Sequence, residues 1–245
     1  MRMDYQLAPP IGEKATLGVI VLQADETLEH DFRRLLPTDG VALYMSRIAS
    51  PPEIRPDTLQ RMRDDLTSSA ALFPKGLHFD AVAYGCTSAT SVIGAHEVAA
   101  QISAGCKTNS VTEPVTALHA ACAKLGIKRL ALLTPYVPQV SDQLRAVLQE
   151  MGLEFGPIGS FNEASDARVA RIDPKSIAAA AKKLVASSSV DGIFISCTNL
   201  RTLDIIAEIE AETGTPVLSS NLVLGWHLAK LAGIDLNPGF GRLSE

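Results

Sequence analysis

Asp80-Ala-Val-Ala-Tyr-Gly-Cys86-Thr87-Ser88 and Asp191-Gly-Ile-Phe-Ile-Ser-Cys197-Thr198-Asn199 are two copies of one pattern. Each copy starts with an aspartate, continues as a short apolar run and ends in a cysteine that hydroxyl or amide residues follow. An apolar run without alternation is typical of a buried parallel strand, and the polar residues after it predict a helix start. Each cysteine is therefore expected at the carboxyl end of a strand.

A thiol at such a position can be chemically active. Free cysteine has a pKa of about 8.5, and a helix N-terminus lowers that value. Thr87 and Ser88, like Thr198 and Asn199, are good N-cap residues, and backbone N–H groups at a helix start bind carboxylates. The alternative is that both cysteines only fill the core, as buried cysteines often do. Their recurrence at the same offset from an aspartate favours a shared catalytic role, with half of one anionic substrate held by each copy.

Composition narrows the class of partner. The chain has 245 residues, 47% of them apolar, which is enough for one large core or two smaller ones. The net charge is −5 and basic residues form no long run, so the sequence offers no basic surface for nucleic acid or an acidic membrane. A small-molecule partner is expected.

The cellular location follows from absent signals. The N-terminus lacks the apolar core of a signal peptide, and no apolar run approaches the ~18 residues of a membrane span. A cytoplasmic location is expected, where the four cysteines would remain thiols.

Predicted strands and helices alternate along the whole chain. Strands are predicted at 16–22, 41–48, 80–86, 110–112, 129–134, 155–160, 191–197 and 216–221, with a break at Pro51-Pro52 after the second. Helices are predicted at 27–36, 56–73, 91–103, 116–125, 140–151, 174–187, 203–213 and 223–231. This order is typical of parallel sheets with helices on both faces.

The two halves have the same order of elements. The fold class is therefore α/β with two pseudo-symmetric lobes, each a parallel sheet flanked by helices. The lobes are placed at 1–114 and 115–225, and the tail 226–245 is expected to pack back on the first lobe. Ligands of such sheets bind beyond the carboxyl ends of the strands, so Cys86 and Cys197 would approach one substrate from opposite sides.

Several catalytic motifs are missing from the sequence. There is no Gly-x-Gly-x-x-Gly after the first strand, no phosphate-loop lysine and no Gly-x-Ser-x-Gly elbow. The five histidines show no His-x-x-x-His spacing. Neither a metal nor a cofactor is expected.

Motifs along the chain carry a family resemblance. They are Gly18-Val-Ile-Val21, Tyr84-Gly-Cys86-Thr-Ser88, Leu133-Thr-Pro-Tyr136, Ser196-Cys197 and Pro238-Gly-Phe-Gly-Arg-Leu243. With them the sequence resembles the aspartate/glutamate racemase superfamily over nearly its whole length. Within it, the sequence is most similar to maleate cis–trans isomerases, arylmalonate decarboxylases and the racemase-like proteins of ectoine utilisation. The doubled cysteine is the specific part of the match.

The resemblance implies cofactor-free chemistry at the carbon next to a carboxylate. In racemases one thiolate removes the proton and the opposite thiol returns one. In maleate isomerases the cysteine that matches Cys86 adds to the double bond and the one that matches Cys197 donates a proton, whereas arylmalonate decarboxylases keep only the second. Because both thiols are present, a racemase or isomerase is favoured. A decarboxylase that uses Cys197 alone, a maleate isomerase and a non-catalytic two-lobed carboxylate sensor remain alternatives, and the resemblance suggests a homodimer.

The resemblance also indicates binding residues. Tyr136 matches a tyrosine beside the substrate carboxylate, although an ordinary half-buried tyrosine at a strand end is the alternative. Asn162 lies near an asparagine of the second lobe of the isomerases. Asp25 stands where the isomerases have a carboxylate-binding asparagine; it would repel a dicarboxylate and favour a cationic acid of the ectoine type. The alternative for Asp25 is that it only caps the helix that starts near Thr27.

Overall fold

The computed structural model describes residues 1–50 and 56–245, without the side chains of residues 56 and 57. The predicted strand break at Pro51-Pro52 lies outside the described residues. No helix in the described part of the chain is long and apolar enough to cross a membrane.

The first lobe is built on a four-stranded parallel sheet. Its strands are β1 (Ala15–Leu22), β2 (Val41–Ile48), β3 (Ala81–Gly85) and β4 (Val111–Thr112), in the order β2-β1-β3-β4. The helices between them are α1 (Leu28–Leu35), α2 (Pro56–Arg61), α3 (Leu66–Ala70), α4 (Thr87–Ile93) and α5 (Ala95–Gly105), with a 3₁₀ turn at Met62–Asp65.

The second lobe repeats this arrangement. Strands β5 (Arg129–Thr134), β6 (Glu154–Ser160), β7 (Gly192–Ile195) and β8 (Val217–Ser219) pair in parallel in the order β6-β5-β7-β8. Its helices are α6 (Pro114–Leu125), α7 (Pro138–Glu150), α8 (Asp166–Val169), α9 (Pro174–Val185), α10 (Leu203–Thr213) and α11 (Ser220–Leu231), and a 3₁₀ turn lies at Arg242–Ser244. The predicted α/β fold of two pseudo-symmetric lobes is confirmed.

The aspartate that opens each copy of the repeated pattern has the same structural role in both lobes. Asp80 Oδ2 accepts a hydrogen bond from the Thr16 N–H at 2.8 Å, at the start of β1. Asp191 Oδ2 accepts from the Lys128 and Arg129 N–H groups at 3.0 and 2.8 Å, at the start of β5. Each aspartate therefore pairs the first free N–H groups of the neighbouring strand, which satisfies donors that the sheet leaves open.

The two copies differ after the cysteine. In the first, α4 starts at Thr87, directly after the cysteine, which confirms the helix start predicted there, although the predicted bounds of 91–103 begin too late. It ends where Gly94 adopts a φ of 92°, so that α5 is a separate helix. In the second, a turn follows Cys197 and the next helix starts only at Leu203. The predicted helix start directly after Cys197 is therefore wrong, because Thr198 and Asn199 bond to the first lobe instead of capping a helix.

Helix α11 connects the two lobes. It follows β8 directly, where the Ser219 hydroxyl accepts from the Leu222 N–H at 3.2 Å, and it packs against α6, α1 and β3. A side chain at Gly225 would meet Leu35 Cδ1 at 2.9 Å, so glycine permits this close contact with α1. Beyond α11, the Asn237 amide donates to the Arg34 and Leu36 carbonyls, so the tail also contacts α1.

Candidate active site

Both cysteines of the repeated pattern line one small cavity. Its lining comes from the segments that follow β1, β3, β5 and β7, and from the start of α8; the residues are Leu22, Asp25, Cys86, Thr87, Ser88, Tyr136, Asp166, Cys197, Thr198 and Asn199. All the predicted site residues except Asn162 are among them. The open volume is about 10 Å³, room for about one water molecule, so the structure is a closed form.

Cys86 lies at the N-cap of α4. Its Sγ accepts a hydrogen bond from the Ala89 N–H at 3.3 Å and lies 3.6 Å from the Ser88 hydroxyl. Both contacts favour a thiolate, but the residue is only 3% exposed, and burial raises the pKa of Cys86 to about 11. The expected lowering of this pKa is therefore wrong for the closed form, because desolvation outweighs the helix start.

Cys197 has an unusual backbone. Its φ is 116°, a value that non-glycine residues rarely adopt, and such strain is frequent at functional sites. Its N–H donates to the Ser220 hydroxyl at 2.9 Å, and that hydroxyl also hydrogen-bonds Thr87 Oγ1 at 2.8 Å. Ser220, which the sequence analysis missed, thus joins the two copies of the pattern. Burial and the nearby Asp166 carboxylate raise the pKa of the Cys197 thiol far above its ordinary value.

Tyr136 is fully buried at the cavity, not half-buried. Its hydroxyl accepts a hydrogen bond from the Ser196 hydroxyl at 3.4 Å. Its carbonyl accepts from Ser160, which fixes the main chain at the end of β5. Burial, and then the Cys197 sulfur, raise the pKa of Tyr136 well above its usual value, so its hydroxyl stays protonated and able to donate.

Asp25 combines the two roles that the sequence left open. Its Oδ1 accepts from the Thr27 and Leu28 N–H groups, both at 2.8 Å, and so caps α1. Its Oδ2 is buried without a hydrogen-bond partner, and the residue lines the cavity. Burial raises the pKa of Asp25, against the opposing hydrogen bond from Leu28.

A second carboxyl, Asp166, was missed by the sequence analysis. It is 8% exposed, and burial followed by the charge of Asp25 raises its pKa to about 6. The predicted residue of this segment, Asn162, is exposed with a φ of 51° and is not part of the lining. The polarity of residues 162–166 predicts a loop that reaches the cleft. Helix α8, however, has only four residues, so the periodicity of the sequence does not reveal where it starts or that Asp166 faces the cavity.

Asn199 holds both acidic segments in place. Its Oδ1 accepts from the Glu26 N–H at 2.8 Å, and its Nδ2 donates to the Ala24 and Asp166 carbonyls at 3.3 and 3.2 Å. Its own carbonyl accepts from the Thr27 hydroxyl at 3.0 Å. With both amide hydrogens engaged, Asn199 positions the site in this closed form and has no free donor for a substrate carboxylate.

Thr198 also bonds across the lobes, because its hydroxyl donates to the Gly85 carbonyl at 3.2 Å. The described residues contain no group of three or more His, Cys, Asp and Glu side chains that could hold a metal ion. The site as described therefore offers thiols, hydroxyls and carboxyls as its chemical groups.

This architecture, a parallel α/β lobe repeated twice with one cysteine from each copy at a shared cavity, defines the aspartate/glutamate racemase-like class. The family model for arylmalonate decarboxylase matches residues 69–244, and the chain belongs to this family.

Individual relatives include two kinds of enzyme. The chain is 36% identical to the arylmalonate decarboxylase of Bordetella bronchiseptica over 124 residues, 49% of this chain and 52% of that enzyme, so the match spans about half of that relative's length. It is 28% identical to the maleate isomerase of Nocardia farcinica over 245 residues, 93% of this chain and 94% of that enzyme.

Solved structures give the same two groups. A liganded mutant of arylmalonate decarboxylase has a TM-score of 0.82 at 26% identity, covering 94% of this chain and 98% of that one. A mutant of Nocardia farcinica maleate cis–trans isomerase with a covalently bound succinylcysteine intermediate has a TM-score of 0.83 at 23% identity, with the same coverage, and this second likeness concerns the fold alone.

Proposed function

We propose that the protein is a cofactor-independent racemase or isomerase that acts at the carbon next to a carboxylate of a small substrate, with Cys86 and Cys197 as the reacting pair. The observation that carries the proposal is that two equivalent strand ends, one from each lobe, bring a thiol each to one closed cavity. Membership of a family with cysteine-based relatives that include maleate isomerases supports it.

Two thiols suit a reaction on two faces of one carbon. In a racemisation, the thiolate of one cysteine takes the proton, and the C–H electron pair spreads into the substrate carboxylate. The thiol of the other cysteine then gives its proton to the opposite face, so the two cysteines exchange protonation states. In a cis–trans isomerisation, the Cys86 thiolate adds to the double bond while Cys197 protonates the adjacent carbon, and rotation about the new single bond precedes the reversal of both steps.

Hydroxyl groups supply the other half of the mechanism. Thr87, Ser88 and Tyr136 line the cavity and can donate to the substrate carboxylate, where negative charge develops as the proton leaves. Thr198 can join them only when its hydrogen bond to the Gly85 carbonyl opens. Since burial raises the pKa of both cysteines, both thiols are neutral in the closed form at neutral pH. Substrate binding must therefore favour the thiolate before chemistry starts.

Within this proposal the substrate carries a positive group as well as its carboxylate, and ectoine-type cyclic amidinium acids are the class that we propose. The acidic Asp25 at the cavity supports this choice over maleate. The resemblance to racemase-like proteins of ectoine utilisation points the same way.

A decarboxylase that uses Cys197 alone is the second candidate, favoured by the family model and by the relative from Bordetella bronchiseptica. The two candidates differ in the role of Cys86. Only the racemase or isomerase needs a thiol there.

Proton exchange in D₂O tests the proposal. With a panel of small chiral carboxylates, amino acids and arylmalonates, the wild type should incorporate deuterium at the carbon next to the carboxylate of at least one compound without releasing CO₂. Cys86→Ser and Cys197→Ser should each lose nearly all exchange, because one of the two proton-transfer groups is gone. The matched control is Cys106→Ser, a half-buried cysteine outside the cavity, which should keep wild-type activity.

Other outcomes separate the alternatives. CO₂ release from an arylmalonate that survives in Cys86→Ser would favour the decarboxylase. Binding of a carboxylate with neither exchange, isomerisation nor CO₂ release would overturn the enzymatic proposal and favour the sensor.

A further inference from the structure

A buried carboxylate oxygen in the cavity has no partner. Asp25 is only 4% exposed; its Oδ1 takes two N–H groups of α1, whereas its Oδ2 takes none. An unpaired buried carboxylate oxygen is costly, and a bound donor or cation would relieve that cost.

Asp166 provides a second carboxyl beside the first. It comes from the other lobe and lines the same cavity, which has room for about one water, so the two carboxyls face one small space. Burial, and then the charge of Asp25, raise the pKa of Asp166. Both segments are fixed by one amide: Asn199 bonds Ala24 and Glu26 on one side and the Asp166 carbonyl on the other. The hydrogen bonds of Asn199 therefore hold the two acidic segments in fixed positions in the closed form.

No described residue of the lining carries a positive charge that could neutralise this pair. The charge of Arg47 lowers the pKa of Asp25, but its guanidinium donates to the main-chain carbonyls of Leu22, Gln23 and Asp25 and to Glu29. Arg47 thus fixes the position of the loop. The Thr198 hydroxyl lies close enough to lower the pKa of Asp25, but it donates its proton to the Gly85 carbonyl, so Asp25 Oδ2 stays unpaired.

We propose that Asp25 and Asp166 form the subsite for a cationic group of the substrate. The substrate class is then a compact zwitterion, with its carboxylate at the hydroxyls of Thr87 and Ser88 and its ammonium or amidinium between the two carboxyls. This inference rests on the proposed function and deepens it by naming both charges of the substrate.

Such a subsite would also prepare the thiols for reaction. The charges of Asp166 and Asp25 add to burial in raising the pKa of both Cys86 and Cys197. A bound cation compensates these charges and favours the thiolate, whereas a dicarboxylate would oppose it further. The substrate that fits the subsite is therefore the one that activates the cysteines.

The test compares two ligands of one shape that differ in the sign of the charge at one end. Malonate and amidinoacetate, in which an amidinium replaces one carboxylate, are titrated into the protein by calorimetry at pH 7.5. The wild type should bind amidinoacetate at least about tenfold more tightly than malonate, and Asp25→Asn and Asp166→Asn should each reduce this ratio about tenfold. Asparagine keeps the oxygen that caps α1, so the Asp25 variant should remain folded, which its thermal unfolding checks.

Asp142→Asn is the matched control, because Asp142 is an exposed acid of α7 that pairs with Arg145. It should keep the wild-type ratio. The affinity for amidinoacetate, whose two charges do not change over this range, should fall between pH 7.5 and 5 as Asp166 takes up a proton. Protonation of Asp25, whose pKa burial also raises, acts in the same direction, while Cys86, Cys197 and Tyr136 stay neutral. Tighter malonate binding by the wild type, or an unchanged ratio in both cavity variants, would overturn the inference.

The binding readout needs no turnover, so it separates this inference from the proposed function. Cys86→Ser should keep the ligand preference. If the protein shows the expected preference for amidinoacetate but exchanges no proton on any substrate, the cation subsite is supported and the enzymatic proposal is wrong. If it exchanges protons only on dicarboxylates, the enzymatic proposal is supported and the cation subsite is wrong.

Discussion

At Cys86 two effects on one thiol oppose each other. The sequence placed this residue correctly at a strand end before a helix, and its sulfur does accept the Ala89 N–H. Burial is the larger effect, and it leaves the pKa at about 11. Burial depends on how the two lobes close over the strand ends, which no local pattern contains, so the position of the thiol could be predicted but its ionisation could not.

Alkylation by iodoacetamide measures this ionisation. In the ligand-free protein we expect the rate at Cys86, followed by peptide mass spectrometry, to rise about tenfold per pH unit from pH 7 to 10, because the thiolate fraction grows until pH reaches the pKa. Cys106, which is half-buried, should react faster at pH 8. A rate at Cys86 that levels off below pH 8 would show that the closed form does not govern its ionisation.

For Asp25, the sequence alone could not decide between two roles for one side chain. Capping of α1 and lining of the cavity were treated as competing roles, yet one carboxylate has two oxygens and each takes one role. Asn162 and Asp166 show the converse. Sequence reasoning found the right segment, and only the tertiary structure decides which residue of it faces the cavity.

Among the elements, those with strong local signals were predicted well. The predicted β2, β5 and α10 have the observed bounds, and β1 differs by one residue. These are apolar strands or a helix that ends at Gly214 in the left-handed conformation. The segment after Cys197 was not predictable in this way. Its Thr198 and Asn199 are N-cap types, but their hydrogen bonds reach residues more than 110 positions away.

The aspartates that open the two copies should stabilise equivalent strand pairs. Asp80→Ala and Asp191→Ala each leave N–H groups at the start of a central strand without an acceptor, which should cost about 1 to 2 kcal/mol in urea unfolding. The Asp80 variant should lose more, because its one hydrogen bond is part-buried whereas both hydrogen bonds of Asp191 are exposed and water can replace them. Both should keep the ligand affinity of the wild type.

The exposed Asp142→Ala serves as the control and should unfold like the wild type. The hydrogen bonds from Arg129 and Lys128 lower the pKa of Asp191, so its stabilisation should be present above the unfolded-state pKa and be lost as pH falls. Unchanged stability in both variants would contradict the structural role of the repeated aspartate.

In the whole molecule, the site exists only when the lobes are together. The cavity has room for about one water, and hydrogen bonds cross between lobes from Thr198 to Gly85 and from Thr87 to Ser220. An ion pair at 2.6 Å joins Glu26 to Arg171 beside it. A small carboxylate needs more room than this, so these contacts must rearrange before it can bind. In the proposed reaction, closure would both exclude water and bring Cys86 and Cys197 to one substrate.

Helix α11 brings a buried acid into this arrangement. Asp31 of α1 accepts a hydrogen bond from Asn221 Nδ2 at 2.8 Å, and that amide also donates to the carbonyl of Thr198. Burial raises the pKa of Asp31 to about 7, with the charges of Asp25 and Asp204 acting in the same direction and Asn221 and Arg34 against it. Asn221 Oδ1 is buried without a partner.

These contacts make the stability of the fold depend on Asp31. Because its pKa is higher in the folded than in the unfolded state, its favourable contribution is complete below about pH 4 and is lost as pH rises through 7. Asp31→Asn cannot ionise, and its amide can donate to Asn221 Oδ1 while its oxygen accepts from Nδ2. We expect the variant to gain on the order of 2 to 4 kcal/mol over the wild type between pH 5 and pH 8 in urea unfolding. Asp142→Asn is the control and should follow the wild-type profile. Asp166 also loses stabilisation as pH rises, because its pKa is raised to about 6, but it is present in all three proteins and cancels in the comparison. Parallel profiles for Asp31→Asn and wild type would mean that Asp31 is ionised at the same pH in both states, and that the packing of α11 on α1 does not bury it.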